Sequence, residues 1–146
     1  MQIFKSIDIA ASGLTAERLR MDLISNNIAN VNSTRTEAGG PYRRQLAVFA
    51  PREENSFAAI LNRTQSQTSA EGVRVVGITK DQSPLKLVYD PNNPDANKEG
   101  YVEMPNVNIV SEMVDMIGAS RSYEANVTVI NSVKSMAAKA LEIGRG

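Results

Sequence analysis

Apolar residues recur one heptad apart at both ends of this chain. Near the start, Ile7, Leu14, Met21 and Ile28 form one line; Ala10, Ile24 and Val31 fall three residues further on, with Glu17 the polar intruder. Lys5, Asp8, Arg18, Arg20 and Asp22 lie largely off that stripe. The pattern approximates an a/d seam and predicts a helix from Ile3 to Ala29, about 40 Å long at about 1.5 Å per residue. Gly13 weakens its interior, by about 1 kcal/mol relative to Ala. Asn26, Asn27, Asn30 and Asn32 end it, because Asn bonds locally to backbone and tolerates left-handed geometry. Near the other end the stripe is Ile109, Met116, Tyr123, Ile130 and Ala137. A second line one step around is Met113, Ser120, Val127 and Leu141, interrupted by Lys134. That helix would run from Val107 to Ile143, about 55 Å. Asn108 is a fitting N-cap, with Glu112 and Asp115 near the positive end of the macrodipole and Lys134 and Lys139 near the negative end.

Between the helices the period changes. Pro41 opens a strand-like run through Tyr42, Leu46, Val48 and Phe49. Pro51 to Thr68 is polar, with a short apolar patch from Phe57 to Leu61 that reads as mobile or weakly helical. Gly72 to Thr79 is rich in β-branched residues, and Leu85 to Tyr89 alternates at period two; both read as strands. Asp90 to Gly100 is turn chemistry throughout, since Pro fixes φ while Asn, Asp and Gly supply unusual backbone geometry. Tyr101 to Met104 is one further short extended piece. The fold class is therefore α+β: two long terminal helices forming an antiparallel pair, with a β-rich and loop-rich middle. The expected domains are 1–32, 33–104 and 105–146.

Composition removes most chemistry. The 146 residues carry 16 basic and 16 acidic side chains, so the net charge is zero. A nucleic-acid binder needs a concentrated basic face, and here the densest cluster is Arg43-Arg44, which reads as a solvated face or an ion-pair partner. With no Cys and no His, disulfides, thiolate nucleophiles and the commonest general base and metal ligand are excluded. The first eleven residues lack the features of a cleaved secretory signal, and no apolar run approaches the ~20 residues needed to span a bilayer.

Individual candidates are weak. Ser132 or Ser135 with Lys134 are ordinary solvent-facing helix residues. Asp90 to Tyr101 has a calcium-loop look but misplaces Pro94, Asp95 and Tyr101. Glu53-Glu54 reads as solvated charge, and Met113, Met116 and Met136 as packing. No phosphate-cradling glycine motif occurs. The cluster Ile24 to Asn30 (ISNNIAN) is more informative. It ends a helix, and its amides are equally suited to bonds across a tight subunit contact.

The stretch SGLTAERLRMDLISNNIANVNST (Ser12 to Thr34) resembles the N-terminal signature of the axial proteins of the bacterial flagellum, the rod and hook subunits. Met104 to Arg145 closely resembles the proximal-rod branch of that family, as do GGPYRRQLAVF, GVRVVGI and PLKLVYDPNNPDANKEGYVEMPNVN in the middle. The resemblance implies a structural rod subunit, secreted unfolded through the flagellar export apparatus, with paired terminal helices lining a hollow helical tube. Implied partners are other proximal and distal rod proteins, the adaptor joining rod to membrane ring, and copies of itself. No cofactor, metal, nucleic acid, small-molecule substrate or membrane insertion is expected.

Apolar faces on helices of such unequal length need a second chain to cover them, because helix stability in water rests on burying the apolar face. Partly disordered ends that order against neighbours follow from that. The expected assembly residues are Ile7, Leu14, Met21, Ile24, Asn26, Asn27, Ile28 and Asn30 on the first helix. On the second they are Met113, Met116, Ile117, Tyr123, Val127 and Ile130. An alternative is a soluble helical adaptor giving a discrete stoichiometric complex; an enzyme is disfavoured by the absence of His and Cys.

Overall fold

The helix predicted at each end forms. In the computed structural model, which describes residues 2–52 and 72–144, α1 spans Gln2–Ala29 and α2 spans Ile109–Ile143. Between them run β1 (Gln45–Pro51), β2 (Val73–Lys80), β3 (Lys86–Tyr89) and β4 (Tyr101–Met104). Strands β1 and β2 form one two-stranded sheet, β3 and β4 another. The apolar patch at Phe57 to Leu61 and the pair Glu53-Glu54 lie outside the described residues.

Local chemistry sets the boundaries. α1 ends in its Asn cluster, where the Asn30 amide side chain donates to both Asn26 O and Asn26 Oδ1 at 2.9 Å. α2 starts two residues later than its apolar pattern, because Asn108 caps it. Its Oδ1 accepts from Val110 N at 3.0 Å and Ser111 N at 3.3 Å, satisfying amides that have no intrahelical partner. β1 starts at Gln45 rather than at Pro41 because the backbone donors leading into it are engaged away from a partner strand, Tyr42 N by Ser33 O at 2.9 Å. Arg44 N donates to Asn106 Oδ1 and Gln45 N to Asn27 Oδ1, both at 2.9 Å.

The chain forms two compact units, each holding a stretch of both helices. The first comprises 1–18, 49–76 and 120–146. Among its described residues, Ala10, Ala16 and Val133 are buried. Small residues let the helices approach closely. A Cβ on Gly13 would sit 3.0 Å from Asn126 Nδ2, so this interior glycine has a packing reason that outweighs its cost. β2 is tied to α1 by Ser12, whose hydroxyl donates to Ile9 O at 2.7 Å and accepts from Val73 N at 3.1 Å. Gly72 precedes that contact with φ +110°, and a Cβ there would collide with Ser12 Oγ.

The second unit comprises 19–48 and 77–119. Leu23, Ile24, Tyr42, Val102 and Ala119 are its buried apolar residues. The β3–β4 hairpin is antiparallel, pairing Leu87 with Glu103, Val88 with Val102 and Tyr89 with Tyr101. The two tyrosine rings meet edge to face at 5.3 Å. The predicted turn from Asp90 to Gly100 closes it, with Asp90 N donating to Gly100 O and Asn97 N to Tyr101 O.

Both buried seams are displaced from the lines read off the sequence. On α2 the Met116, Tyr123, Ile130 and Ala137 line is half-buried, but its companion is Glu112, Ala119, Asn126 and Val133, one position before the expected Met113, Ser120 and Val127. On α1, Ala10 and Ile24 are buried as their line implied. The rest of the α1 seam is Ala16, Leu23 and Asn27, while Ile7, Leu14, Met21 and Ile28 remain half-buried beside it. Small and polar residues occupy the closest approach; larger apolar ones sit on the flanks and the surface.

Gly72→Ala should lower the chain's unfolding free energy by about 2–3 kcal/mol, combining left-handed strain with the Ser12 collision. Gly40→Ala, also left-handed at φ +76° but with open space around it, should lose only about 1 kcal/mol. Urea unfolding of both variants checks this; equal losses would mean that Ser12 swings aside freely.

Candidate assembly interface

The second unit is organised around a carboxylate that water does not reach. Glu112 is 0 % exposed and Asn27 is 1 % exposed. Asn27 Nδ2 donates to Glu112 Oε2 and to Gln45 O, each at 3.0 Å. Its Oδ1 accepts from Tyr42 Oη and Gln45 N at 2.9 Å, so all of this amide's reach lies within the chain. Arg44 Nε donates to Glu112 Oε1, and Arg44 Nη2 to Asp115 Oδ2 at 2.8 Å. Arg20 approaches the other Asp115 oxygen at 3.8 Å. The two carboxylates are thus balanced by two guanidinium groups, which is what a buried ion needs to avoid an unpaired-charge penalty.

This clasp joins the end of α1, the entry to β1 and the first turn of α2. Asn106 extends it: besides holding Arg44 N, its Nδ2 donates to Asp81 O and Ser83 O at 3.2 Å. Asp81 closes its own turn by accepting from Ser83 N and Ser83 Oγ, and those bonds hold its carboxyl below the usual range. Burial pushes the Tyr42 hydroxyl up, and the Glu112 charge adds to that. For Arg44, burial works against the charge. The hydrogen bond to Glu112 and the fields of Glu112, Asp115 and Asp81 outweigh it, so the pKa is raised.

Of the assembly residues expected from sequence, Ile24 and Asn27 are buried within the chain, and Asn30 is half-buried and bonded to Asn26, which is exposed. Ile7, Leu14, Met21, Ile28, Met116, Tyr123, Val127 and Ile130 are half-buried. Met113 and Ile117 are surface residues. The clasp residues Tyr42, Arg44, Asn106, Glu112 and Asp115 were not among those expected. Their signal was faint: charged and amide residues clustered where helix ends meet strand starts.

Apolar exposure is heavy around this clasp. Val110, Met113, Val114 and Ile117, at helical spacing on the first turns of α2, are each more than half exposed. Beside them lies an open groove of about 690 Å³ lined by Val31, Val88, Met104, Pro105, Val107 and Ile109. Asn32, Ser83 and Lys86 also line it, together with Asn106 and Asn108, whose side chains already hold backbone groups. Leu87 and Tyr89 on β3 are 61 % and 65 % exposed. In the first unit, Phe4, Val76, Met136, Leu141 and Ile143 stand out likewise. Large apolar side chains left in solvent at helical spacing, as on the first turns of α2, mark contact with other macromolecules. Among the described residues there is no group of three or more acidic side chains placed to hold a metal ion, and no helix long and apolar enough to cross a membrane.

Known proteins give these surfaces a setting. The family described as "Flagella basal body rod protein" matches residues 7–35, and "Flagellar basal body rod FlgEFG protein C-terminal" matches residues 98–143. Over the full length of both chains, the sequence is 57 % identical to the flagellar basal-body rod protein FlgC of Borreliella burgdorferi. The FlgC proteins of Bacillus subtilis and Salmonella typhimurium are 49 % and 41 % identical, each covering 99 % of this chain and all of the relative. The chain belongs to the FlgC family. Members of that family are structural proteins of the basal-body rod, so exposed apolar helix faces are expected here, and the clasp becomes the fixed point from which they project.

Glu112→Leu should destabilise the chain by about 3 kcal/mol, because Arg44 and Asn27 Nδ2 lose their buried partner. The double variant Glu112→Leu/Arg44→Met should recover much of that loss, since no lone charge remains. Thermal unfolding of the two side by side checks the order. Tyr42 makes an alkaline signature: its folded pKa is raised, so its stability contribution is complete below the unfolded value near 10 and is lost as pH rises toward the folded value. Tyr42→Phe should flatten the fall in stability above about pH 10 in pH-dependent unfolding.

Proposed function

We propose that this FlgC-family rod subunit assembles through the exposed faces of α1 and α2, with copies and related rod proteins covering what the chain alone leaves wet. The observation that carries the reading is the apolar stripe Val110, Met113, Val114 and Ile117, more than half exposed on the helix that the Glu112 clasp anchors. In this reading the paired terminal helices line a hollow tube, the strand-rich middle packs outward, and the stacked subunits transmit torque across the periplasm. The subunit sits in the proximal rod. It travels unfolded through the flagellar export apparatus and meets proximal and distal rod proteins and the adaptor to the membrane ring. Stiffness suits the task better than catalysis. Each fully buried Val, Ile or Met contributes about 1.5–3 kcal/mol, and along a helical array the sum is shared by every subunit.

Met113→Asp/Ile117→Asp places two charges on that stripe without touching the chain's own core. The purified variant should keep its circular dichroism, and cells carrying it in place of the native copy should make the protein. It should nevertheless be absent from isolated basal bodies, and the cells non-motile, because a carboxylate cannot be buried unpaired in a subunit contact. Normal incorporation and swimming would sink the assignment.

A further inference from the structure

The direction in which α2 leaves the strands is set at one side chain. Asn106 lies two residues past the end of β4 and three before the start of α2. Its Oδ1 accepts from Arg44 N at 2.9 Å, and its Nδ2 donates to Asp81 O and Ser83 O at 3.2 Å. Asp81 N in turn donates to Arg44 O at 2.8 Å. The backbone of Arg44 is therefore gripped from both sides, by the segment leading into α2 and by the residue that follows β2.

The rest of that segment has little freedom. Pro105 is buried, and its ring fixes φ. Asn108 caps the helix, and Arg44 then takes Glu112 and Asp115. At about 100° per residue, Glu112, Asp115 and Ala119 fall on the side of α2 opposite Val110, Met113, Val114 and Ile117. Contacts within the chain thus hold the back of a helix whose front is the exposed stripe. Rotating α2 by one residue would swing that front by about 100°, and a bend at Asn106 would tilt it.

The Nδ2 bonds of Asn106 are nearly redundant as a source of stability. Arg43 Nη1 donates to the same two carbonyls, at 3.3 Å and 3.2 Å, and the contact with Ser83 O is exposed to water. Removing a donor from carbonyls that keep another partner leaves no buried group unpaired, so the loss is small. What these bonds add is a tie, joining the start of α2 to the turn after β2 while Oδ1 joins it to β1.

We propose that, on the reading that rod neighbours cover the Val110–Ile117 stripe, Asn106 is the positioning residue that aims it, and that incorporation into the rod depends on this aim rather than on the stability of the chain.

Two variants separate aim from stability. Asn106→Asp keeps the acceptor for Arg44 N and sets its charge beside Arg43, so it folds while releasing Asp81 O and Ser83 O. Asn106→Ala removes both ends of the tie. The chain has no cysteine, so nitroxide labels go cleanly onto Thr79→Cys of β2 and Ser111→Cys of α2, both exposed. Electron spin resonance on the purified chain should give one narrow inter-label distance, broadened or shifted by either Asn106 variant. Without labels, and in place of the native copy, both variants should keep their helix content yet be lost from isolated basal bodies. Gly72→Ala, strained in the other unit, is the stability control and should still incorporate. An unchanged distance, or normal incorporation and swimming with Asn106→Asp, would overturn the positioning role. So would collapse of helix content in Asn106→Asp, or incorporation that simply follows unfolding free energy across the three variants. Those results leave the stripe reading standing if Met113→Asp/Ile117→Asp is still excluded from the rod. Normal incorporation of that pair would remove the stripe reading, and the positioning role with it.

Discussion

A carboxylate with no access to water fixes the second unit of this chain. Burying an ion costs several kcal/mol unless partners surround it, so Glu112 can occupy its place only when Arg44 and Asn27 are already there. That requirement couples three segments far apart in sequence: the end of α1, the start of β1 and the first turn of α2. Asn27 enforces register most strictly, because its one amide bonds Tyr42, Gln45 and Glu112 together. A one-residue slip of either helix would strand the charge. An apolar contact in the same place would tolerate slippage, and a subunit meant to present faces to neighbours at fixed angles does not. The network thus supplies geometry more than net stability, the best-attested use of buried polar groups.

The apolar residues, by contrast, are arranged for company. Among the described residues of the first unit the buried apolar side chains are Ala10, Ala16 and Val133. Phe4, Met136, Leu141 and Ile143 remain in solvent. Helical segments this long are stabilised chiefly by covering an apolar face, and a partner that binds only the folded form supplies that stability by mass action. Small residues on the inner seam let α1 and α2 approach closely, while larger ones are kept for the outside. That is the reverse of a self-sufficient globular domain.

This reversal explains what could and could not be read from sequence. The elements were legible because their signals are local: heptad spacing for α1 and α2, β-branched runs for β2, Asn108 for a helix start, Asp90 to Gly100 for a turn. The assembly family was legible from the end segments. The seam registers were not, because a helix with apolar residues on two faces offers two stripes, and periodicity cannot say which faces inward. Met113 and Val127 looked better placed for burial than Glu112 and Asn126, and only tertiary pairing reverses the order. Glu112 itself read as a first-turn acid favoured by the helix dipole, which is true of it and conceals its larger role. Arg44 read as a solvated charge or an ion-pair partner; the structure makes it the latter, with a partner 68 residues away that no local pattern could name.

Placing a neutral, self-satisfied polar clasp beside apolar faces also sorts contacts by kind. Inside the chain, register is set by hydrogen bonds that tolerate no loss of a single partner. Outside it, the faces of α1 and α2 are built of Ile, Leu, Val and Met over small residues, which adapt to more than one neighbour by modest repacking. A subunit of the basal-body rod must meet other rod components with one sequence. Specific bonds across every interface would forbid that, whereas adaptable apolar faces permit it. The rigid part of the design is therefore internal and the permissive part external, and the helix pair joins the two.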